Sequence, residues 1–362
     1  MLPEITFVEK INSLNRVYKK PVISAKMRMT DADFKVEEEL SFKPSGKGEH
    51  LFLQIKKINA NTDWIAKQLQ KIFGLSSREI GYAGKKDRHS ISTQWFSLHL
   101  PGRDVDLSKF DAIKTTDSEI HIINSVRHNK KLKIGSLREN KFEIVLRKLT
   151  GEIDLKNIET IRRCGVPNYF GYQRFGFDAN NLVMADQYLG QEINIKNRNK
   201  RGLVISSARS LLFNLILSSR IKNDSWSQVI PGDCLMLDAS QSYFLVKGNP
   251  EKEQQRIDSG DVHVTGLLPG REPSDASLSA KVIEDQIINQ FPKWMEAFFR
   301  LNLTTSRRAL RCKPRDFVVE QQADKAVLKF TLNKGCYATS VIRELVNVTD
   351  ESLAKTREIV NQ

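Results

Sequence analysis

The stretch Ile80-Gly-Tyr-Ala-Gly-Lys-Lys-Asp-Arg-His-Ser-Ile-Ser-Thr-Gln94 places a single acid, Asp87, among small and basic residues. Its glycines let the main chain turn sharply and approach a ligand closely. Three cations, Lys85, Lys86 and Arg88, flank the acid, and a nearby positive charge favours an ionised carboxylate. An ionised carboxylate suits a nucleophile better than a proton donor. The stretch therefore predicts a reactive acid, with a solvated surface turn as the alternative.

The stretch does not fit a phosphate-binding loop. The glycines do not match G-x-x-x-x-G-K-[ST], and Lys86 and Asp87 stand where that motif needs other residues. Nucleotide phosphates are therefore not the ligand that the pattern favours.

Two strands and a helix are predicted before the motif. Apolar and polar residues alternate over Asp33–Glu37 and again over Leu51–Ile55, as in half-buried strands. Asn61 or Thr62 can cap a following helix, and Gly74 is suited to end it. The motif is thus expected in a loop after a strand–strand–helix segment.

The same order returns near the C-terminus. Asp316–Glu320 is similar to Asp33–Glu37, an alternating strand follows over Leu328–Leu332, and a helix is expected to start at Thr339 or Ser340. A repeat of two copies predicts one sheet that is built from both chain ends, with the middle of the sequence inserted.

A second motif, Gly165-Val-Pro-Asn-Tyr-Phe-Gly-Tyr-Gln-Arg-Phe-Gly176, combines four aromatic residues, three glycines and one arginine. Aromatic rings and guanidinium planes stack on nucleobases, so this pattern favours RNA contact. A hinge packed by its own aromatic residues is the alternative. The basic stretches at residues 128–133 and 307–315 favour the same kind of partner.

Composition limits the class of protein. The chain has 362 residues and a formal net charge of +14, which predicts about two domains and a nucleic-acid partner. The four cysteines and six histidines are scattered without ligand spacing, so neither a zinc site nor any other metal site is expected. No signal peptide and no apolar run of ~18 residues is evident, so we expect a soluble, cytoplasmic protein without a membrane span.

Several separate motifs together resemble the TruD family of tRNA pseudouridine synthases. They are Ala83–His89 with Thr93-Gln94-Trp95, Asn140-x-Phe142, Pro167–Gly176, and Tyr337 ahead of Ala338–Leu345. The resemblance spans both chain ends and thins between residues 180 and 300. It implies that Asp87 is the catalytic nucleophile and that the target is the uridine at position 13, in the D arm of tRNA.

The resemblance also implies a fold. We expect an α+β protein with a pseudouridine-synthase-type catalytic domain, whose mostly antiparallel mixed sheet is flanked by helices, and an inserted α/β TRUD domain. The catalytic domain is expected to be discontinuous, over residues 1–160 and 306–362, with the insertion at 161–305. Because the reaction is an isomerisation, no cofactor is expected. tRNA is the expected partner, and a monomer is the expected state.

The expected site residues fall into three groups. Asp87 is the expected catalytic carboxylate, with Lys86 as the first and Arg88 as the second candidate for its paired cation. The residues expected to support the active site are Lys86, Arg88, Asn140, Phe142 and Tyr337, and Phe142 or Tyr337 is expected to stack on the target base. The residues expected to bind RNA are Lys85, Lys130, Lys131, Tyr169, Phe170, Arg174, Arg307 and Arg308.

Two alternatives stay open from the residues alone. One is a non-catalytic RNA-binding or tRNA-chaperone protein, for which Asp87 would be dispensable. The other is a different RNA-modifying enzyme, such as a methyltransferase or a deaminase. Against the second alternative, the chain lacks a G-x-G-x-x-G after a strand and the H-x-E with P-C-x-x-C zinc pattern.

Overall fold

The structure is a computed structural model that describes residues 6–111, 118–248 and 250–352. Its α-helices are α1 (Phe7–Asn12), α2 (Thr62–Phe73), α3 (Ser108–Asp111), α4 (Leu155–Cys164), α5 (Asn180–Leu189), α6 (Arg198–Lys222), α7 (Pro250–Ser259), α8 (Leu278–Ile288), α9 (Pro292–Arg300) and α10 (Ala338–Leu345). Its strands are β1 (Ser24–Met27), β2 (Phe34–Leu40), β3 (His50–Ile58), β4 (Ile80–Tyr82), β5 (Ile91–His99), β6 (Glu119–His128), β7 (Leu137–Arg147), β8 (Val166–Pro167), β9 (Cys234–Leu237), β10 (Tyr243–Leu245), β11 (Val262–Leu268), β12 (Ser306–Ala309), β13 (Arg311–Cys312), β14 (Arg315–Gln322), β15 (Lys325–Asn333) and β16 (Asn347–Asp350).

The chain divides into two compact units. The sheet unit comprises the described residues of Pro21–Ile158, Pro314–Gly335 and Leu345–Gln362, and the helix-rich unit comprises those of Met1–Lys20, Glu159–Lys313 and Cys336–Glu344. The beginning of the chain and the segment 336–344 thus group with its middle. The domain boundaries predicted from the sequence were placed at motifs, whereas these two units are defined by contacts within the folded chain. The predicted boundaries therefore stay a prediction.

The sheet unit contains one large mixed sheet. Its strands follow the order β14-β15-β7-β2-β5-β3-β6, with β1 beside β7 and β16, and β4 beside β5. The pairs β2 with β5 and β1 with β16 are parallel, and the other described pairs are antiparallel. The α+β class with a mostly antiparallel mixed sheet is therefore confirmed.

Local sequence signals explain the helix that precedes the motif. The side chain of Asn61 accepts a hydrogen bond from the Trp64 N–H at 2.8 Å, which caps the start of α2. Gly74 ends it in the left-handed conformation, with φ of 63°, where a side chain would be strained. Ile65 and Leu69 are fully buried and belong to the core between α2 and strands β3 and β5. The predicted helix and both of its ends are confirmed.

The predicted repeat is confirmed in its order but not in its pairing. Strand, strand and helix recur as β2, β3, α2 and as β14, β15, α10, and both chain ends contribute strands to one sheet. However, β14 pairs directly with β15, whereas β2 lies between β5 and β7 and β3 lies between β5 and β6. The two copies therefore hold different places in the sheet.

The helix-rich unit is organised around α6. This helix packs beside α5, α8 and β11, and a sheet of order β10-β9-β11-β12 completes the unit. By length and composition α6 could cross a membrane, although 61% of its apolar window is buried inside the protein, which is typical of a core helix. The expectation that the chain has no membrane span therefore stays a prediction.

Candidate active site

The motif loop, residues 83–90, connects β4 to β5 and carries Asp87. Strand β4 lies against the loop at 129–136. A Cβ atom on Gly81 would lie 2.2 Å from the Leu132 carbonyl oxygen, so only glycine permits this close approach. In the structure this glycine allows β4 to pack against that loop.

Two buried polar side chains fix the motif loop. The hydroxyl of Thr62, the first residue of α2, accepts from the Lys86 N–H at 2.9 Å and donates to the amide oxygen of Gln94 at 2.8 Å. The amide nitrogen of Gln94 donates to the Gly84 carbonyl at 3.2 Å. Because Thr62 and Gln94 are at most 1% exposed, the main chain before Asp87 is rigidly held.

The carboxylate of Asp87 is held by a buried arginine. Arg28 donates from Nη2 to Asp87 Oδ2 at 2.8 Å and from Nη1 to Asp350 Oδ2 at 2.6 Å. Its guanidinium lies 4.1 Å from the ring centroid of Phe34. The side chain of Arg28 is 2% exposed, whereas that of Asp87 is 42% exposed. A fixed cation therefore orients an acid whose other side is open to a ligand.

The prediction that Lys86 or Arg88 is the paired cation was wrong. The ammonium of Lys86 lies 2.6 Å from the carboxylate of Glu38, and these two side chains are 7% and 0% exposed. Arg88 donates from Nε to the amide oxygen of Asn59 at 3.1 Å. Neighbours in an extended segment point in opposite directions, so Lys86 turns into the protein. The cation for the motif acid is Arg28, the residue that follows β1.

Strand β7 places Asn140 and Phe142 on the same face of the sheet as Glu38. Residues directly opposite in an antiparallel pair point to the same side, and Asn140 is opposite Glu38 while Phe142 is opposite Val36. The Phe142 ring packs edge-on against Phe34, with centroids 6.0 Å apart. Phe34 is also the ring under Arg28. The two predicted support residues thus share a face with the residues that hold the motif loop.

Phe142 and Asn140 both keep groups available to a ligand. Phe142 is half-buried and is one of the residues that line a cleft of about 960 Å³ on the sheet, together with Lys35 and Glu37, which alternate with Val36 along β2. The side-chain oxygen of Asn140 is buried and has no hydrogen-bond partner within the described ranges. Buried polar groups usually have a hydrogen-bond partner, so this oxygen is a candidate acceptor for a ligand. Asp87 does not line that cleft, so the cleft does not locate the substrate.

A second cluster of predicted residues lies within the helix-rich unit. Arg174 donates from Nη2 to the Tyr337 hydroxyl at 3.0 Å. The Arg308 guanidinium lies 4.2 Å from the ring centroid of Phe170, and the Phe170 and Tyr337 rings are 5.9 Å apart. Each of the four side chains is half-buried. Tyr337, which was expected to support the active site, therefore belongs to a cation–aromatic cluster with three predicted RNA contacts.

Two predicted RNA contacts are core residues, and this part of the prediction was wrong. Tyr169 is 2% exposed, and its hydroxyl donates to the Asn15 carbonyl at 2.9 Å. Arg307 is 4% exposed, forms a buried ion pair with Glu284 and donates to the Ser274 hydroxyl at 3.1 Å. Successive residues of an extended segment alternate between inside and outside, so each of these side chains is buried while the next one is not.

The three predicted lysine contacts belong to the sheet unit. Lys85 is exposed and pairs with Asp63 at 2.7 Å. Lys131 is half-buried and donates to the Arg78 carbonyl at 2.6 Å. Lys130 is exposed. Lys130 is therefore the one of the three whose ammonium the structure leaves at the surface without a described ion pair.

Four residues of the site were missed in the sequence: Arg28, Asp350, Glu38 and Lys57. Two of them carried a signal, because Glu38 continues the buried face of Phe34 and Val36, and Lys57 continues that of Leu51, Leu53 and Ile55. A charged residue at an inward position of an apolar alternation marks a functional candidate. Arg28 and Asp350 stand in no such pattern and could be found only from the folded chain.

Lys57, on β3, donates to the main chain of the motif loop, and its own pKa is shifted. Burial lowers the pKa of its ammonium to about 7, while the Asp87 carboxylate acts in the opposite direction and Lys86 adds to the lowering. No group of three or more His, Cys, Asp or Glu that could hold a metal ion occurs in the part of the chain that the structure describes.

Known proteins match this chain over nearly its whole length. The family model for tRNA pseudouridine synthase D (TruD) matches residues 10–194 and 179–345. Proteins named tRNA pseudouridine synthase D from Hydrogenovibrio crunogenus and Photobacterium profundum are each 38% identical to this chain, over 91% of it and over 95% and 94% of their own lengths. The one from Methylococcus capsulatus is also 38% identical, over 92% of this chain and 94% of its own.

A solved structure supports the fold. The crystal structure of a Methanosarcina mazei chain described as a tRNA pseudouridine synthase D superposes with a TM-score of 0.70. It covers 95% of this chain and 99% of its own length at 22% sequence identity. At that identity the likeness concerns the fold alone.

Proposed function

We propose a catalytic residue and a target for this chain, which belongs to the TruD family of tRNA pseudouridine synthases and so isomerises uridine to pseudouridine in tRNA. The proposed catalytic carboxylate is Asp87, and the proposed target is uridine 13. The observation that supports the role of Asp87 most directly is its geometry. A half-exposed carboxylate is held at 2.8 Å by a buried guanidinium, and an oriented, ionised acid is what a nucleophile or base requires. The position of the target rests on the resemblance of the motifs.

The reaction needs little beyond such an acid. The N1–C1′ bond of uridine breaks, the uracil turns, a C5–C1′ bond forms, the proton on C5 is lost and N1 gains a proton. The carboxylate can attack the ring, attack C1′, or remove the C2′ proton to give a glycal. Each route starts from an ionised Asp87. Arg28 stabilises that charge on a side chain that is 42% exposed to a ligand.

We propose that Phe142 and Asn140 receive the uracil after it leaves the RNA stack. Unstacking a base costs a few kcal/mol, and an aromatic ring can offset part of that cost by stacking. Phe142 lies two residues from the unpartnered oxygen of Asn140, on one face of β7. That oxygen can accept a hydrogen bond from the N3–H of uracil. Tyr337, the other stacking candidate, stays a prediction.

We propose that a set of basic and aromatic residues contacts the rest of the tRNA: Lys85, Lys130, Lys131, Phe170, Arg174 and Arg308. The net charge of +14 favours a polyanion. Exposed Lys85 and Lys130 and half-buried Lys131 would act as point contacts to phosphate. The cluster of two guanidinium groups with the Phe170 and Tyr337 rings provides flat surfaces for bases. The remaining expectations, that the protein works as a monomer in the cytoplasm without cofactor or metal, stay predictions.

Lys130→Glu is expected to weaken tRNA binding without changing the chemical step. Each phosphate contact contributes about 0.9 to the slope of log affinity against log salt, so the variant should lower that slope by about one and raise Kd roughly threefold to tenfold. The Kd is measured by filter binding from about 50 to about 300 mM salt, where the affinity changes steeply with salt concentration. Lys156→Glu, an exposed lysine on α4, is the charge-matched control. Equal slopes for wild type and Lys130→Glu would remove Lys130 from the interface.

The proposed target is tested by mapping pseudouridine in an unmodified tRNA after incubation with the purified protein. Wild type should convert uridine 13, and a tRNA with cytidine at position 13 should stay unmodified. Conversion at another uridine would keep the activity and overturn the position. No conversion in any tRNA of the source organism would overturn the proposal as a whole.

A further inference from the structure

Lys57 is a buried cation whose partners are main-chain carbonyls. It lies on β3, on the face where Leu51, Leu53 and Ile55 pack into the core, and it is 0% exposed. Its ammonium donates to the Asp87 carbonyl at 3.1 Å and to the Ala60 carbonyl at 2.5 Å. No carboxylate forms an ion pair with it among the residues that the structure describes.

Such a residue is costly for the fold. A buried ammonium loses its hydration, and carbonyl dipoles replace it only in part. An apolar residue at this inward position would continue the core of β3 without that cost. Lys57 is therefore a functional candidate, because its buried ammonium destabilises the fold and yet donates a hydrogen bond to the main chain of the proposed catalytic residue.

We propose that Lys57 is a positioning residue for the reaction: its buried ammonium fixes the main chain at Asp87 and directs the carboxylate toward the substrate. The inference rests on the proposed role of Asp87. Arg28 holds the side chain from one direction, and Lys57, together with the Ser90 hydroxyl at 2.9 Å, holds the main chain of the same residue. Both restraints are needed, because a carboxylate fixed at only one end can still rotate.

The charge of Lys57 gives the inference a pH signature. The charged groups that act on it are Asp87 and Lys86, both from the motif loop, and its pKa is lowered by burial to about 7. The ammonium is therefore lost as the pH rises through that value. At saturating tRNA, the wild-type rate should fall over this range, because the neutral amine holds the Asp87 carbonyl less strongly.

Stability should move in the opposite direction. Lys57 has a pKa of about 7 in the folded chain and an ordinary pKa of about 10.4 in the unfolded chain. Between these values the unfolded chain binds one more proton, so the folded state gains stability as the pH rises. A purely structural lysine would show this rise in stability without any fall in the rate.

The experiment compares Lys57→Met with Lys71→Met, an exposed lysine in the last turn of α2. Single-turnover pseudouridine formation, tRNA Kd and the thermal midpoint are measured from pH 6 to 9. Lys57→Met should react about 100-fold more slowly, since a small misplacement of a catalytic group costs roughly that factor. Its Kd should stay within about twofold of wild type, and its rate should lose the decline at alkaline pH. Lys71→Met should match wild type.

Two further variants make the outcome decisive. Lys57→Gln keeps an N–H donor without the charge, and it should be slow and lack the alkaline decline even if Lys57→Met does not fold. A rate within about threefold of wild type for a folded Lys57 variant, or a wild-type rate that does not change with pH, would overturn the inference.

Asp87→Asn separates the two proposals. If Asp87→Asn is inactive while Lys57→Met is active, only the proposed role of Lys57 fails. If Asp87→Asn is active, the proposed catalytic role of Asp87 fails.

Discussion

Asp87→Asn is expected to lower the rate of pseudouridine formation by a factor on the order of 10⁴ or more, as is found when an essential reacting group is removed. An amide has nearly the shape of the carboxylate but is neither a nucleophile nor a base at neutral pH. The amide oxygen can still accept from Arg28, and Arg28 keeps its ion pair with Asp350. The variant should therefore remain folded, with a loss of unfolding free energy below the roughly 3–5 kcal/mol of a fully broken buried pair. The variant should therefore bind tRNA with wild-type affinity and fail in the chemical step.

The measurement is release of tritium from tRNA labelled at C5 of uridine, because the C5 hydrogen is lost in the reaction. It is made under single-turnover conditions with enzyme in excess, so that slow product release does not limit the rate. Asp63→Asn is the control, since Asp63 pairs with Lys85 on the surface and has no part in the proposed chemistry. A rate for Asp87→Asn within about tenfold of wild type would exclude Asp87 as the catalytic carboxylate.

Arg28→Met is expected to have the second-largest effect, and it should affect both activity and stability. Removing one preorganised group that stabilises a reacting charge typically costs 10²-fold to 10³-fold in rate, so a fall of about that size is expected here. The variant also leaves Asp350, whose side chain is 14% exposed, without its cation. Breaking a buried ion pair from one side destabilises by roughly 3–5 kcal/mol.

Two companion variants separate these effects. Asp350→Asn keeps Arg28 and its bond to Asp87, so it should lose less activity than Arg28→Met. Lys35→Met removes a lysine that pairs with Glu143 on the surface, with both side chains about 40–50% exposed, and should change the free energy of unfolding by less than about 1 kcal/mol. Rates are compared at a temperature where circular dichroism shows all variants folded. A folded Arg28→Met with the wild-type rate would show that the carboxylate needs no cation.

The elements around the site follow from short-range patterns. The alternation of Phe34 and Val36 predicts β2, and Asn61 and Gly74 predict the ends of α2. These predictions hold because side-chain direction in a strand and capping at a helix end depend on a few consecutive residues. The reactive motif is also local, since the loop at 83–90 is one continuous segment. The elements and the candidate acid were thus readable from the sequence.

The partners of those residues were not readable in the same way. Arg28 meets Asp87 across 59 residues and Asp350 across 322, and no local spacing encodes either contact. Chain neighbours of the same type also have different roles: Arg307 forms a buried ion pair, whereas Arg308 lies against the Phe170 ring. Sequence alone therefore determined the strands, the capped helix, the family resemblance and the candidate acid. The pairing of charges came only from the fold, because it depends on which strands become neighbours and which face each side chain meets.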